Sequence, residues 1–327
     1  MELKITGNSV IKENNQTKVV EYGRDEDGEL HEVRVHGIEP HFYAPTDLVE
    51  DQEANLIRQG DVKEIDHEPD VTGWKGEDLS KISLYEDCNH WDVRNVARDN
   101  FSHDDRFAAD VFFDNQLRIE QELYSGIRVP DGTTEIHADD IEPVEIKEFR
   151  TRVGYIDIEI DDRGEFVKDG SRPILSIVAM DSMTEEVVGF FWTGKGREIT
   201  DCFPSGRPSN LDRLEWATTE DGMLDKFIEY VQSHDQDLWT GWNFEDFDAR
   251  YFLERFDELD KDPTKLSRDN YAKISNNKSA IIGGRVMYDL QNAWERTKRK
   301  EPDSTKLEYA AQTELGKGKV EHTNMGY

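Results

Sequence analysis

The residues of this chain best suited to chemistry are Asp157 and Glu159, within Arg152-Val153-Gly154-Tyr155-Ile156-Asp157-Ile158-Glu159-Ile160. Alternation predicts a β-strand with Ile156, Ile158 and Ile160 on one face and Val153, Tyr155, Asp157 and Glu159 on the other. Two carboxylates one pleat apart on a buried strand repel each other and lose hydration, and a divalent cation between them removes both penalties. A blander reading stays open, in which Glu159 lies at a wet strand end and Asp157 accepts backbone hydrogen bonds. A second acidic cluster is Asn243-Phe244-Glu245-Asp246-Phe247-Asp248. It follows a short strand expected over 237–243 and opens a helix expected from about Phe247 to Leu259. Such junctions carry the active-site groups of many α/β sheets, and the positive helix end helps hold carboxylates ionised. Asp246 and Asp248 could also be helix caps, although one aspartate suffices for a cap. If Asp157, Glu159 and Asp248 converge, they form an all-oxygen site suited to Mg²⁺ or Mn²⁺ rather than zinc. Two such ions about 3.5–4 Å apart suit phosphodiester hydrolysis. Asn243 would then position nucleic acid or water, and Phe247 would wedge or pack against the nucleic acid.

The elements that position these groups follow from periodicity. Pro173 to Met180 and Val187 to Thr193 read as strands that could join the acidic strand in an antiparallel meander. Residues 202–208 read as loop. Leu224, Phe227, Ile228 and Val231 recur at helical spacing, which predicts a helix over 221–233. Residues 285–290 read as a strand, and a last helix through Leu307, Ala310, Ala311 and Leu315 is expected to stop at Gly316. Residues 148–327 therefore predict an α/β layered domain. Residues 1–147 predict a strand-rich α+β domain. It has strands near 1–6, 17–22 and 32–38, a turn at Asp27-Gly28, an extended stretch at 40–45, a helix over 47–58 and a further element starting near Val93. Its histidines are scattered and read as structural. The polar segment 133–144 reads as a linker.

The chain has 327 residues, enough for two domains, with 34% charged and 35% hydrophobic residues. Its net charge is −32, spread along the whole length rather than gathered in a tail. Such a balance disfavours a polyanionic partner in dilute salt, yet it suits a protein adapted to multimolar salt, where charges are screened within ~3 Å. The salt-adapted reading is favoured. The absence of a long apolar stretch or apolar leader argues against a membrane partner and a signal peptide, and Cys88 and Cys202 fit a reducing cytoplasm. One basic run, Arg296-Thr297-Lys298-Arg299-Lys300, reads as a phosphate contact or, by preference, as a solvated helix end.

These stretches together resemble the family B DNA polymerases. Asp157-Ile158-Glu159 looks like their first exonuclease motif, and Asn243-Phe244-Glu245-Asp246-Phe247-Asp248 like the second. Gly284-Arg285-Val286-Met287-Tyr288-Asp289, Leu307-Glu308-Tyr309-Ala310-Ala311 and Leu315-Gly316 are similar to the family's Gly-Arg-Val strand and the helix after it. Tyr22-Gly23-Arg24 and Pro40-His41-Phe42-Tyr43 resemble the amino-terminal domain of archaeal members. The resemblance implies a template-binding domain (1–147) and a ribonuclease H-like 3′–5′ exonuclease domain (148–327), a mixed sheet flanked by helices. It implies metal ligands at Asp157, Glu159 and Asp248, substrate contacts at Asn243 and Phe247, and two Mg²⁺ or Mn²⁺ ions. Single-stranded template and a primer 3′ end would be the partners. With the acidic composition, it implies a haloarchaeal or haloarchaeal-virus source. In archaeal members a uracil-recognition pocket lies where Pro40 and His41 stand, with tyrosine in place of the histidine. The family's third motif, Tyr-x-x-x-Asp, is expected beyond the Leu315-Gly316 helix, and this sequence reaches Tyr327 without it. The expectation is the front portion of a polymerase, a proofreading 3′–5′ exonuclease lacking its last motif and the polymerase domain. The alternatives are a non-catalytic template-binding subunit that docks onto a separately encoded polymerase half, and a stand-alone exonuclease.

Overall fold

The computed structural model describes residues 1–148, 150–161, 163, 169–276 and 279–318, in two units, Met1–Arg150 and Thr151–Tyr327. In the first unit β1 (Glu2–Glu13) and β2 (Gln16–Arg24) form a hairpin turned by Asn14 and Asn15, both at positive φ. Asparagine tolerates that left-handed backbone better than other side chains. The strands expected over 1–6 and 17–22 are parts of these longer ones. β3 (Leu30–His36) continues the meander, and β4 (His41–Pro45) follows. Next come α1 (Thr46–Gln59), β5 (Val62–Asp66), β6 (Leu79–Leu84), α2 (His90–Asn100) and α3 (Phe113–Glu120). The unit closes with β7 (Gly126–Arg128), β8 (Glu135–His137) and β9 (Glu142–Val144).

One sheet has the order β8-β3-β2-β1-β7-β9 and another β4-β6-β5. The segment expected as a linker, 133–144, thus supplies two strands: β8 pairs with β3 and β9 with β7. His41 is buried, with Nδ1 2.9 Å from the Glu39 carbonyl and Nε2 2.9 Å from Glu120 Oε1. His31 meets Asp25 at 2.8 Å and His67 meets Ser80 at 3.0 Å, in keeping with structural roles.

In the second unit β10 (Val153–Ile160), β11 (Ile174–Asp181) and β12 (Val187–Trp192) form the expected antiparallel meander. Asp161-Asp162-Arg163-Gly164, which reads as a turn after β10, lies partly outside the described residues. α4 (Ile199–Cys202) precedes β13 (Arg213–Ala217), an unforeseen strand parallel to β12. α5 (Glu220–His234) leads to β14 (Leu238–Gly241) and α6 (Asp248–Glu258). β15 (Ala272–Ile274) and β16 (Ala280–Ile282) make a small hairpin. β17 (Val286–Asp289), α7 (Leu290–Arg296) and α8 (Leu307–Leu315) complete the described chain, and α8 stops at Gly316, whose φ is 64°.

The sheet order is β13-β12-β11-β10-β14-β17, with β10, β14 and β17 parallel. The three isoleucines of β10 are buried as the alternation requires. They share a core with Phe190, Phe227, Trp239 and Phe252, where the Phe227 and Phe252 rings stack at 5.0 Å. Burying each such ring stabilises the fold by roughly 1.5–3 kcal/mol.

Candidate active site

The site forms because β10 outlasts its neighbour. β14 pairs with β10 only from Val153↔Leu238 to Tyr155↔Thr240, and its chain then turns away after Gly241. A Cβ on Gly241 would stand 2.6 Å from the Ile156 carbonyl oxygen, so this departure needs glycine. The turn runs through Asn243, held at φ 59°, whose carbonyl accepts the Phe247 N–H at 3.0 Å. Asparagine suits that left-handed position, a structural reason for its place in the motif. α6 then begins at Asp248, beside the part of β10 that β14 has left uncovered.

Asp248 is buried, and its Oδ1 accepts the Ile158 N–H at 3.0 Å. The helix has no side-chain cap bond at Phe247, so the capping reading does not describe how this carboxylate is used. Burial pushes its pKa up to about 8, and the negative charge of Asp157 pushes in the same direction. Asp157 and Glu159 project from the exposed face of β10, opposite its buried isoleucines. The sequence expectation of one acidic face is met, although that face is open rather than buried. Phe247 is half-buried against the core, with its ring 5.6 Å from that of Tyr251.

Sequence reasoning missed Asp289. It is buried at the end of β17, and its Oδ2 accepts the Glu245 N–H at 3.1 Å. Its Oδ1 accepts the Asn292 N–H at 3.0 Å and so caps α7. Glu245 is held above the usual carboxylate range by burial, then by Asp289 and Asp246. An aspartate closing a strand just before a helix is a readable cap signal, and it was the available clue.

Arg285, in the Gly-Arg-Val stretch, immediately precedes the same strand. It is buried against Trp239 and donates to the carbonyls of Leu266 and Gln236 and to Asp235. Its role there is structural. Burial pulls its pKa down to about 10, against the attraction of Asp235.

The donor set meets the chemistry of a hard divalent cation. It is all oxygen, and it includes a carboxyl that burial, then the charges of Asp157 and Asp289, hold against ionisation. Among the described residues, no three His, Cys, Asp or Glu side chains stand as a group able to hold an ion. The structure brings Asp248 and Asp157 within electrostatic reach and sets Glu159 one pleat along the same face.

A mixed sheet flanked by helices places the Asp-x-Glu strand beside an Asp-bearing helix start, an α/β arrangement. The family model for the exonuclease domain of DNA polymerase family B matches residues 125–310, and the chain belongs to that family. It is 29% identical over 184 residues to the DNA polymerase delta catalytic subunit of Caenorhabditis elegans, a match covering 50% of this chain and 16% of that protein. Its fold is similar to that of the family B DNA polymerase from the hyperthermophilic archaeon Pyrobaculum calidifontis. The TM-score is 0.72 at 17% identity, over 96% of this chain and 39% of that one. No described helix is long and apolar enough to cross a membrane.

Proposed function

We propose that this chain is the proofreading portion of a family B DNA polymerase, hydrolysing DNA from its 3′ end. The observation that carries the reading is Asp248, buried beside β10, bonded to Ile158 N–H and electrostatically opposed by Asp157. Asp157, Glu159 and Asp248 would hold Mg²⁺ or Mn²⁺, which when bound supply an activated water and stabilise the departing 3′ oxygen. The Ile158 N–H fixes Asp248 Oδ1 and so the orientation of the carboxyl. Asn243, on the turn before α6, would orient the terminal nucleotide, and Phe247 would pack against its base. The acidic surface supports work in concentrated salt, where the phosphate backbone is not repelled at long range. Single-stranded template and a primer 3′ end are the proposed partners, together with a polymerase portion.

The test is digestion of 3′-labelled single-stranded DNA in concentrated KCl with Mn²⁺, beside Asp157→Ala. Mononucleotide release that disappears in the variant is the expected result. No release from the wild type, with DNA binding retained, would overturn the reading and leave a template-binding chain.

A further inference from the structure

The stretch 296–306 carries five cations and two acids in a chain of net charge −32. The dipole of α7 accounts for Arg296 in its last turn, but the run continues beyond the helix end. Lys298 pairs with Glu314 and sits 4.8 Å over the Trp294 ring. Arg296, Arg299 and Lys300 are exposed, and none enters an ion pair among the described residues.

Beside them runs a row of half-buried aromatic rings. Trp242 lies 5.7 Å from Trp294, and Trp294 lies 6.5 Å from Tyr309. The indole N–H groups are already engaged, Trp242 Nε1 donating to the Thr305 carbonyl at 3.1 Å and Trp294 Nε1 to Glu314 at 3.0 Å. Trp242 is the residue before Asn243, so the row begins at the acidic turn itself. At the same turn, the charge of Arg296 acts on the Glu245 carboxyl.

We propose that Arg296, Arg299 and Lys300, with the Trp242–Trp294–Tyr309 row, form a track that binds single-stranded DNA and leads it to the acidic turn. Proteins that hold single strands combine cations along the backbone with aromatic surfaces for the bases, each stacked base being worth about 1–3 kcal/mol. A site built of carboxylates repels phosphate, and cations at its approach offset that repulsion. The assignment of the track to a 3′ end rests on the exonuclease reading; the binding itself does not.

The test measures binding of a fluorescent oligothymidylate to the whole chain in EDTA, so that cutting plays no part, across a salt titration. Wild type is compared with R296Q/R299Q/K300Q. A charge-matched control, K195Q/R197Q/R207Q, alters exposed cations elsewhere in the same unit. All six positions are solvent-exposed, so the fold is not at stake. The expected result is weaker binding by the first variant, with a log–log salt slope shallower by about 2, near 0.7 for each phosphate contact removed. The control should keep the wild-type slope. Equal slopes in all three proteins, an equal drop in both variants, or no binding by the wild type would each overturn the proposal. A wild type that binds through the track but releases no nucleotide with Mn²⁺ would sink the exonuclease reading and leave the track standing.

Discussion

Asp289 Oδ2 accepts the backbone N–H of Glu245 at 3.1 Å, so the edge strand of the sheet fixes the turn that carries the second acidic cluster. Its other oxygen caps α7 through Asn292. One buried carboxylate thus ties together the end of β17, the approach to Asp248 and the helix that presents Trp294. The position of Asp248 depends on this tie as well as on its own bond to Ile158.

Replacing Asp289 with alanine removes a cap, worth about 0.5–2 kcal/mol, and leaves the Glu245 N–H unpaired, which costs about 1–3 kcal/mol when buried. Asp289→Asn retains one acceptor for two N–H donors and should recover only part of the loss. Urea midpoints in the order wild type, Asn, Ala are expected, with m-values unchanged. Equal midpoints for wild type and Ala would show that the tie contributes nothing.

Arg285 tests the residue that leads into the same strand. Arg285→Met would leave two backbone carbonyls without the guanidinium and Asp235 with Arg268 as its remaining ionic partner. Losing a hydrogen bond made by a charged donor costs about 1.5–3 kcal/mol. Arg285→Lys keeps the charge but not the fork and should fall between the two. The measurement is thermal unfolding of all three proteins, and a methionine variant as stable as the wild type would refute the structural role.

The parts of this architecture legible in the sequence were those with a strong local period. The Ile-x-Ile-x-Ile alternation of β10, the helical spacing of Phe227 and Val231 and the glycine after Leu315 all led to the right element. β8, β9 and β13 were not legible, because strands of three to five residues owe their existence to partners distant in sequence. The acidic pair Asp157 and Glu159 could be placed on one face from alternation alone. The bond from Ile158 to Asp248 could not, since it depends on β14 ending early and the chain crossing at Gly241. Asp289 was visible as a residue, but its hold on Glu245 is a contact between strand end and turn that carries no spacing rule.

The net charge of −32 predicts that salt stabilises this protein. Self-repulsion is screened over ~10 Å at 0.1 M salt and over ~3 Å at 1 M. The melting temperature should therefore rise steadily as KCl increases into the molar range. A melting temperature that falls or stays flat would argue against salt adaptation.

Acid should act through Asp181. Burial works to raise the pKa of this carboxyl, but Arg152 at 2.8 Å and the Thr184 and Met183 N–H groups together hold it below the usual value. A depressed carboxyl contributes stability that is fully present above its unfolded pKa of about 3.9 and is lost as pH falls through the folded value. Stability should drop below about pH 4, and Asp181→Asn, less stable at neutral pH, should show a flatter acid limb. Urea midpoints measured down the acid range check this, and parallel acid limbs would exclude Asp181 as a contributor.

The acidic site makes a prediction that needs no catalysis. Asp248 is pushed up to about 8 by burial and by Asp157, so a bound divalent cation would relieve a strain already present in the fold. Mn²⁺ should raise the melting temperature of the wild type, by the equivalent of about 2.7 kcal/mol at one hundred times the dissociation constant. Asp248→Asn can still accept the Ile158 N–H through its amide oxygen, while the buried charge is gone. In chelator this variant should be at least as stable as the wild type, and Mn²⁺ should no longer shift it. Asp157→Ala should lose the shift as well, since it removes the partner carboxylate. A Mn²⁺ shift of the same size in all three proteins would place the ion elsewhere and remove these two aspartates from the metal site.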